Sequence, residues 1–205
     1  MQMTLTQTLP DEYSIAMNQR LYGLHQVRYP EDLPLLYRWM HAEHVTPQWQ
    51  LNKPELELHV FFEKMLADDH QRLYLIQLDG QPVGYAEIYE CRRDRIGRYY
   101  DADEHDMGIH LLFGETHVLK KGHFRPTLSM LANFIFEKSP DTDKMIIEPD
   151  CEVPAFKFAA HDLNIEKIKE IELPEKAASL LFLRKQSFER STSYDKFILR
   201  QQKAG

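Results

Sequence analysis

The sequence predicts a mixed α/β, α+β-like domain with a central twisted mixed sheet flanked by helices. The 205 residues are enough for one domain with a substantial core. Hydrophobic residues make up 43% and charged residues 28%, the usual balance of a globular protein. Stretches with strand and helix periodicity alternate along the chain, with a strand–helix–strand–helix passage in its second half. We therefore predict a single domain over residues 1–205.

The first half of the chain is predicted to hold an N-terminal arm or edge extension, one strand, two helices and a hairpin. The first helix opens near Pro30 and should end before Pro47, because proline disfavours helical geometry in the preceding residue. Asp79 and Gly80 are a strong turn signal between two strands. The predicted ranges are 1–20 for the extension, 21–29, 72–78 and 82–90 for the strands, and 30–40 and 54–70 for the helices.

The second half is predicted to alternate strands and helices after a charged loop over residues 92–106. A helix opens near Pro126 and runs to about Glu137, and Asn164 suits the left-handed end of the next helix. The other predicted ranges are 107–113, 144–147, 165–173 and 178–187 for strands and 155–163 for that helix.

Composition and charge narrow the classes of function. The net charge of −7 disfavours nucleic-acid binding, which needs clustered Lys and Arg. Two cysteines make neither a disulfide framework nor a zinc set. No apolar run approaches the roughly 20 residues of a membrane span, and the first 20 residues do not resemble a signal peptide. We expect a cytoplasmic monomer or homodimer without nucleic-acid or membrane partners.

A loop before the helix at Pro126 could hold a phosphate. Helix N-termini present free N–H groups and partial positive charge, and glycine lets a loop approach a phosphate closely. Lys120, Lys121 and Arg125 add positive charge around Gly122. The alternative is an ordinary solvated loop, which this pattern taken alone describes more often.

This strand–loop–helix unit resembles the acyl-coenzyme A-dependent N-acyltransferases of the GNAT superfamily. Their Gln/Arg-x-x-Gly-x-Gly/Ala loop, which holds the coenzyme A pyrophosphate, corresponds to Leu119-Lys120-Lys121-Gly122-His123-Phe124. Phe124 replaces the last small residue of the motif. The resemblance implies an acyl-CoA co-substrate, expected to be acetyl-CoA, and no metal. The cofactor-binding residues that it implies are Leu111, Leu112, Lys120, Lys121, Gly122, His123, Phe124 and Arg125.

Four segments resemble a narrower group, the siderophore-biosynthesis acyltransferases, which include aerobactin-type N-hydroxylysine acetyltransferases and the mycobactin lysine acyltransferase. This resemblance implies transfer of an acyl group, expected to be acetyl, to the N-hydroxylated amine of lysine or a short diamine. The segments are Met40-His41-x-x-His44-Val45-x-Pro47-x-Trp49-x-x-Asn52, Gly108-x-His110-Leu111-Leu112, Glu148-Pro149-Asp150 and Glu172-Leu173-Pro174-x-Lys176-Ala177-Ala178.

The resemblance assigns His110 and Asp150 as an acid/base pair. On a strand His110 shares a face with Leu112. Without the resemblance, it could be a core histidine with its hydrogen bonds satisfied, or a base that works near neutral pH. Asp150 follows the predicted strand at 144–147 and is otherwise a helix cap or loop acid. If strands 107–113 and 144–149 are parallel neighbours, both side chains reach the crevice at the strand ends. We expect His110 to be the base and Asp150 to orient the acceptor.

The segment between the first two helices is predicted to line the acceptor pocket through His44, Trp49 and Asn52. The alternatives are a core aromatic for Trp49 and a turn residue or helix cap for Asn52. His41 and His44 share a helical face, but no third ligand accompanies them, and we predict no metal site.

Two other residues were weighed for the same site. Cys151 has no task in a direct transfer. Glu87, on the predicted hairpin, is a further candidate carboxylate, although its strand also reads as an ordinary amphipathic one.

Two rival functions remain open from the sequence. A GNAT enzyme could act on another amine, such as a polyamine, an aminoglycoside or a protein N-terminus, because the acceptor pocket decides the substrate and the fold does not. A non-catalytic acyl-CoA-binding domain is the other, since Phe124 departs from the phosphate-loop motif.

Overall fold

The computed structural model describes residues 3–194, which form an eight-stranded mixed sheet with helices on both faces. The strand order across the sheet is β1-β2-β3-β4-β5-β6-β8-β7. The strands are β1 Glu12–Met17, β2 Arg20–Gln26, β3 Gln71–Leu78, β4 Gln81–Glu90, β5 Met107–Phe113, β6 Lys144–Ile147, β7 Glu166–Leu173 and β8 Lys176–Arg184. The helices are α1 Leu5–Thr8, α2 Leu33–Met40, α3 Thr46–Trp49, α4 Glu55–Ala67, α5 Phe124–Lys138, α6 Pro154–Leu163 and α7 Lys185–Glu189.

One parallel pair of strands interrupts an otherwise antiparallel sheet. Strands β1 to β5 pair antiparallel in sequence order, and β6, β8 and β7 continue with antiparallel pairs. Between these two groups, β5 and β6 run parallel and are joined through α5. This is the predicted strand–helix–strand unit, because parallel neighbours need a long crossover.

The two faces of the sheet carry different cores. On one face, α5 and α6 bury Leu128, Leu131, Phe134 and Leu163 against the strands. On the other, one cluster packs α2 and α4 over β3, β4 and β5, and a second cluster packs the segment after β4 over β6, β7 and β8. Alternation along β5 sends Ile109 to the first face and Leu112 to the second, as expected. His110 shares the second face.

Strands β5 and β6 separate soon after they meet. Their register pairs Met107 with Met145 and Gly108 with Ile146 only. The chain after β6 instead follows β8, where Ser179 N–H donates to the Pro149 carbonyl at 2.9 Å and Cys151 N–H donates to the Ala177 carbonyl at 3.0 Å. A gap therefore opens between β5 and the segment after β6, and polar side chains at this point can face it.

Several boundaries differ from the sequence prediction. Part of the predicted arm over residues 1–20 is the edge strand β1, and the predicted end of β8 at residue 187 lies inside α7. Proline explains two further differences, since a helix tolerates it in the first turn, where its missing N–H is not needed. Pro47 lies in the one-turn helix α3, which was not predicted, and α5 begins two residues before Pro126.

Among the described residues, none of the helices combines the length and apolar character that crossing a membrane would require.

Candidate active site

His110 lies at the gap between two carboxylates. Its Nδ1 is 2.7 Å from Glu87 Oε2 on β4, and its Nε2 contacts Glu148 Oε1, just after β6. The side chain of His110 keeps 28% of its surface exposed, against 8% for Glu87 and 1% for Glu148. The imidazole is thus the part of this trio that a substrate in the cleft can touch.

Two buried tyrosines complete the network. Tyr85 donates its hydroxyl to Glu87 Oε1 at 3.0 Å, and Tyr89 donates to Glu148 Oε2 at 2.9 Å. Tyr85, Glu87 and Tyr89 alternate along β4 and so project to one face of the sheet. Each carboxylate has one oxygen on His110 and the other on a tyrosine. The buried acids are therefore hydrogen-bonded, which burial of a charge requires.

The trio is electrostatically coupled. Burial alone would lower the pKa of His110, but the facing carboxylates, Glu148 first and then Glu87, outweigh it and raise the pKa from 6.5 to about 10. Burial alone would raise the pKa of Glu148, yet the His110 imidazolium, with a smaller contribution from the Lys176 ammonium, lowers it below its ordinary value. At neutral pH the charged form is therefore favoured for both His110 and Glu148.

Asp150 lies farther along the gap. The β5–β6 register places Glu148, not Asp150, opposite His110, because the same offset separates Met107 from Met145. Asp150 is half-buried, and its Oδ1 accepts the Glu152 backbone N–H at 2.8 Å. The structure therefore brings His110 together with two glutamates, while Asp150 follows Glu148 by two residues and its backbone forms a bridge with Ala178 of β8.

The acceptor side is formed by α3 and its flanking loops. The Trp49 ring lies edge-on to the His110 ring at a centroid distance of 6.3 Å, and 5.6 Å from the Tyr85 ring. His44 Nε2 is 2.9 Å from the Phe113 carbonyl, so its imidazole attaches this segment to the end of β5. Asn52 is exposed in the loop before α4. Of the three predicted acceptor residues, Trp49 is the one in ring contact with His110.

The predicted phosphate loop has a left-handed backbone at two positions. Lys120 has φ 57° and Gly122 has φ 84°, and a Cβ on Gly122 would meet no atom within 4 Å. Lys120 and Lys121 are exposed and take part in none of the ion pairs found among the described residues. The loop therefore presents two ammonium groups beside the N-terminus of α5.

Three other predicted cofactor residues near the loop have protein partners. Phe124 packs against Phe156 of α6 at a ring-centroid distance of 4.8 Å, and Arg125 pairs with Asp162 of the same helix. His123 Nδ1 is 2.8 Å from the Tyr22 hydroxyl. Burial, followed by nearby Arg20, lowers the pKa of His123, so it adds no charge at neutral pH. Phe124, which replaces the small residue of the motif, thus packs α5 against α6.

The two leucines predicted to bind the cofactor lie in β5. Leu112 is buried with the α2–α4 cluster, and Leu111 packs partly buried on the opposite face. Both residues pair with β4, and within the described residues β6 pairs with neither. The edge of β5 at these residues therefore borders the gap.

The remaining candidate groups show no assembled site. Within residues 3–194 there is no cluster of three or more His, Cys, Asp or Glu side chains that could hold a metal ion. His41 is exposed, with Nδ1 at 2.9 Å from the Tyr37 carbonyl. Cys151 Sγ lies 3.4 Å from Ser179 Oγ.

Comparison with protein families decides the classification. The family described as "Acetyltransferase (GNAT) domain" matches residues 28–173. The chain belongs to this GNAT family. This GNAT protein has the mixed sheet flanked by helices that the sequence predicted, and it is an acyl-CoA-dependent acyltransferase, so both predictions are confirmed.

Three individual relatives refine the comparison. An N-hydroxyputrescine acetyltransferase of Acinetobacter baumannii is 47% identical over 186 residues, which cover 91% of this chain and 88% of that protein. The lysine N-acyltransferase MbtK of Mycobacterium tuberculosis is 25% identical over 169 residues, 77% of this chain and 80% of that protein. The aminoglycoside acetyltransferase AAC(6')-Ib, solved in complex with coenzyme A, superposes with a TM-score of 0.73 at 22% identity, covering 82% of this chain and 96% of that one. The first two relatives confirm the resemblance to siderophore-type acyltransferases, and the third shows the shared fold.

Sequence reasoning missed part of this GNAT site. Glu148 belongs to the Glu148-Pro149-Asp150 segment, but the sequence does not single it out, because the parallel register that places it opposite His110 cannot be read from one strand. The sequence offers Glu87 only as a further candidate. The signal for Tyr85 and Tyr89 is their alternation with Glu87, which puts all three on one face.

Proposed function

We propose that this GNAT enzyme transfers an acetyl group from acetyl-CoA to the hydroxylamine nitrogen of an N-hydroxylated short diamine, as a step in siderophore biosynthesis. The main support is the partly exposed His110 ring, which lies at the β5–β6 gap beside Trp49. The chain is also 47% identical to an N-hydroxyputrescine acetyltransferase. That identity favours a diamine over lysine, because the lysine acyltransferase is only 25% identical.

The reaction needs no covalent enzyme intermediate. The acceptor nitrogen attacks the thioester carbonyl, the N–C bond forms and the C–S bond breaks. The proton lost by the nitrogen ends on the coenzyme A sulfur, so the transfer neither consumes nor releases a free proton. The protein has to place the two reactants together and handle this proton on its way.

The cleft offers one group for each task. His110 is the polar group that faces the reacting atoms, and Trp49 provides an apolar wall for the methylene chain of the acceptor. We assign Asp150 to hold the N–OH head of the acceptor and to take its proton in passing, because it lies on the same side of the gap two residues beyond Glu148. Among these, His110 and Asp150 are the catalytic residues.

The co-substrate fits the other end of the gap. Lys120 and Lys121, with the N-terminal turn of α5, provide the cationic and N–H groups that a pyrophosphate needs. The edge of β5 at Leu111 and Leu112 is left free by β6 and can hydrogen-bond the amide-containing arm of coenzyme A. The thioester then lies next to His110, halfway along the same strand.

An acceptor panel tests the function. Thiol release from acetyl-CoA is followed with N-hydroxyputrescine, N-hydroxycadaverine, N6-hydroxylysine, putrescine, spermidine and kanamycin. We expect the hydroxylated diamines to give the highest kcat/KM. A clear preference for spermidine or kanamycin would assign the enzyme to another amine, and acetyl-CoA binding without turnover of any acceptor would indicate a non-catalytic domain.

A variant tests the site itself. His110→Ala should lower kcat by roughly 10²–10⁴, while calorimetric binding of acetyl-CoA should persist because the phosphate loop is untouched. Thr116→Ala, an exposed position outside the proposed contacts, is the matched control. A His110→Ala rate within a few-fold of the wild type would remove His110 from the chemistry.

A further inference from the structure

Both ring nitrogens of His110 lie against carboxyl groups, which only accept hydrogen bonds when they are ionised. Nδ1 faces Glu87 and Nε2 faces Glu148. An ionised carboxylate has no proton to give, so the ring must donate from both nitrogens, which histidine does only as an imidazolium. Neutral imidazole would leave one nitrogen lone pair against a carboxylate oxygen.

The surroundings fix this arrangement from every side. From β4, the Tyr85 hydroxyl binds Glu87 and the Tyr89 hydroxyl binds Glu148. The Tyr89 hydroxyl also lies 3.4 Å from His110 Nε2. Behind Glu148, the ammonium of Lys176 at the start of β8 acts on it electrostatically. Trp49 from α3 covers one edge of the ring without a charge. The two glutamates contact the His110 ring directly, whereas Lys176 acts on Glu148 and not on the ring.

We propose that Glu87 and Glu148 are positioning residues that hold His110 as an imidazolium across the neutral range, so that the site acylates only a nitrogen that arrives without a proton. This inference rests on the proposed function and gives it a physical basis for acceptor choice. It also reverses the role expected from the sequence, in which His110 was the base that takes a proton from the acceptor.

The consequence for acceptors follows from their basicity. A primary alkylamine has a pKa near 10, about that of lysine, and is an ammonium at neutral pH. It must lose a proton before it can attack, and an imidazolium clamped on both nitrogens cannot take it. Nearby carboxylates also favour the charged ammonium. A hydroxylamine nitrogen is far less basic and arrives neutral, so it can attack directly.

Proton balance in the hydroxylamine reaction does not need His110 as a base. Attack on the carbonyl makes the nitrogen cationic and acidic, and even a weakly basic carboxylate such as Asp150 can take its proton. The C–S bond then breaks, the thiolate leaves, and the proton passes to the sulfur. His110 keeps both of its protons throughout, because both N–H groups stay bonded to Glu87 and Glu148, and its ring forms one side of the space in which the two reactants meet.

The first test reads the protonation state directly in the ligand-free protein. Nitrogen-15 NMR of the histidine rings, with His110→Gln to assign the signal, should show His110 doubly protonated at pH 7.5. Glu87→Gln removes one charge and should move its titration to lower pH. Tyr85→Phe, which removes one hydroxyl and keeps both charges, is the matched control and should leave the titration near that of the wild type. A neutral His110 ring at pH 7.5 in the wild type, or the same titration in Glu87→Gln, would overturn the proposal.

The second test reads the acceptor requirement. From pH 7 to 9, kcat/KM for putrescine should rise about tenfold per unit, following its neutral fraction, whereas kcat with N-hydroxyputrescine should change by less than about threefold. A kcat/KM for putrescine at pH 7 within about tenfold of that for N-hydroxyputrescine would contradict the proposal, because only about one alkylamine in a thousand is neutral at that pH. If N-hydroxyputrescine is not acylated at all, the proposed function fails, while the NMR result still decides the state of His110.

Discussion

His110 and Glu148 face each other at the place where β5 and β6 stop pairing. The last paired residues are Gly108 and Ile146, and two residues beyond them on each strand the parallel register brings the imidazole against the carboxylate. The contact thus joins two strands that no longer share backbone hydrogen bonds there. An ion pair between side chains therefore lies at the start of the gap.

Gly108 is required for this contact because the Tyr89 ring lies over it. A Cβ on Gly108 would come within 2.3 Å of the ring and 2.6 Å of the Tyr89 hydroxyl. Gly108→Ala should therefore displace Tyr89 from Glu148, lower kcat at least tenfold and lower the free energy of unfolding by about 1–3 kcal/mol. Urea denaturation and thiol-release kinetics measure both quantities.

A double mutant separates packing from catalysis at Gly108. Replacing the ring in Tyr89→Leu makes room for the new methyl group, so Gly108→Ala should cost less stability in that background than in the wild type. Activity should stay low, because Glu148 has lost its tyrosine. Equal costs in both backgrounds would show that the ring is not what Gly108 accommodates.

The sequence predicts the elements of this fold better than the contacts between them. Alternation in β5 places His110 on its correct face, and the Gly122 loop is found before a helix as expected, because both signals are local. The partner of His110 depends on the offset between two strands 37 residues apart in sequence, from Met107 to Lys144, and no local pattern encodes that offset. The sequence therefore points to Asp150 as the partner of His110, whereas the structure places Glu148 against the ring.

The same reasoning explains what was missed in β4. Tyr85, Glu87 and Tyr89 alternate as any amphipathic strand would, and polar residues at alternate positions normally face solvent. In this sheet that face is covered, so the three become a buried network. Whether a face is covered depends on elements far away in sequence, here α3 and the segment after β4.

Stability should depend on pH through His110. Its pKa is about 10 in the folded protein and near 6.5 when unfolded. Between these values the folded state binds the extra proton, so the stabilisation is complete below pH 6.5 and is lost as the pH rises through 10. The difference in unfolding free energy between the wild type and His110→Gln should fall from pH 7 to 10 by at most about 1.4 kcal/mol per unit. Urea titrations at several pH values measure this difference, and parallel curves would contradict it.

Trp49 should govern the acceptor and not the co-substrate. Its ring packs edge-on against His110 and Tyr85 from a one-turn helix, and it has no ring contact with a residue of the phosphate loop among the described residues. Trp49→Ala should raise KM for N-hydroxyputrescine about tenfold, consistent with loss of about 1.4 kcal/mol of contact, and leave KM for acetyl-CoA within a factor of two. Trp49→Phe keeps an aromatic ring, so its KM for N-hydroxyputrescine should lie between those of the wild type and Trp49→Ala. A rise confined to KM for acetyl-CoA would place the ring on the cofactor instead.

The phosphate loop should bind coenzyme A through charge at Lys120. This residue already has a left-handed backbone, which asparagine tolerates better than most residues. Lys120→Asn therefore removes the charge with little strain, and Lys120→Arg retains it. We expect KM for acetyl-CoA to rise about fivefold in Lys120→Asn at low ionic strength and by less at about 0.3 M salt, where exposed charges are screened. Lys120→Arg should stay near the wild type in both buffers. The kcat should not change in either variant, because it reports the chemistry at His110. An equal KM for acetyl-CoA in all three proteins at low salt would show that the ammonium does not contact the cofactor.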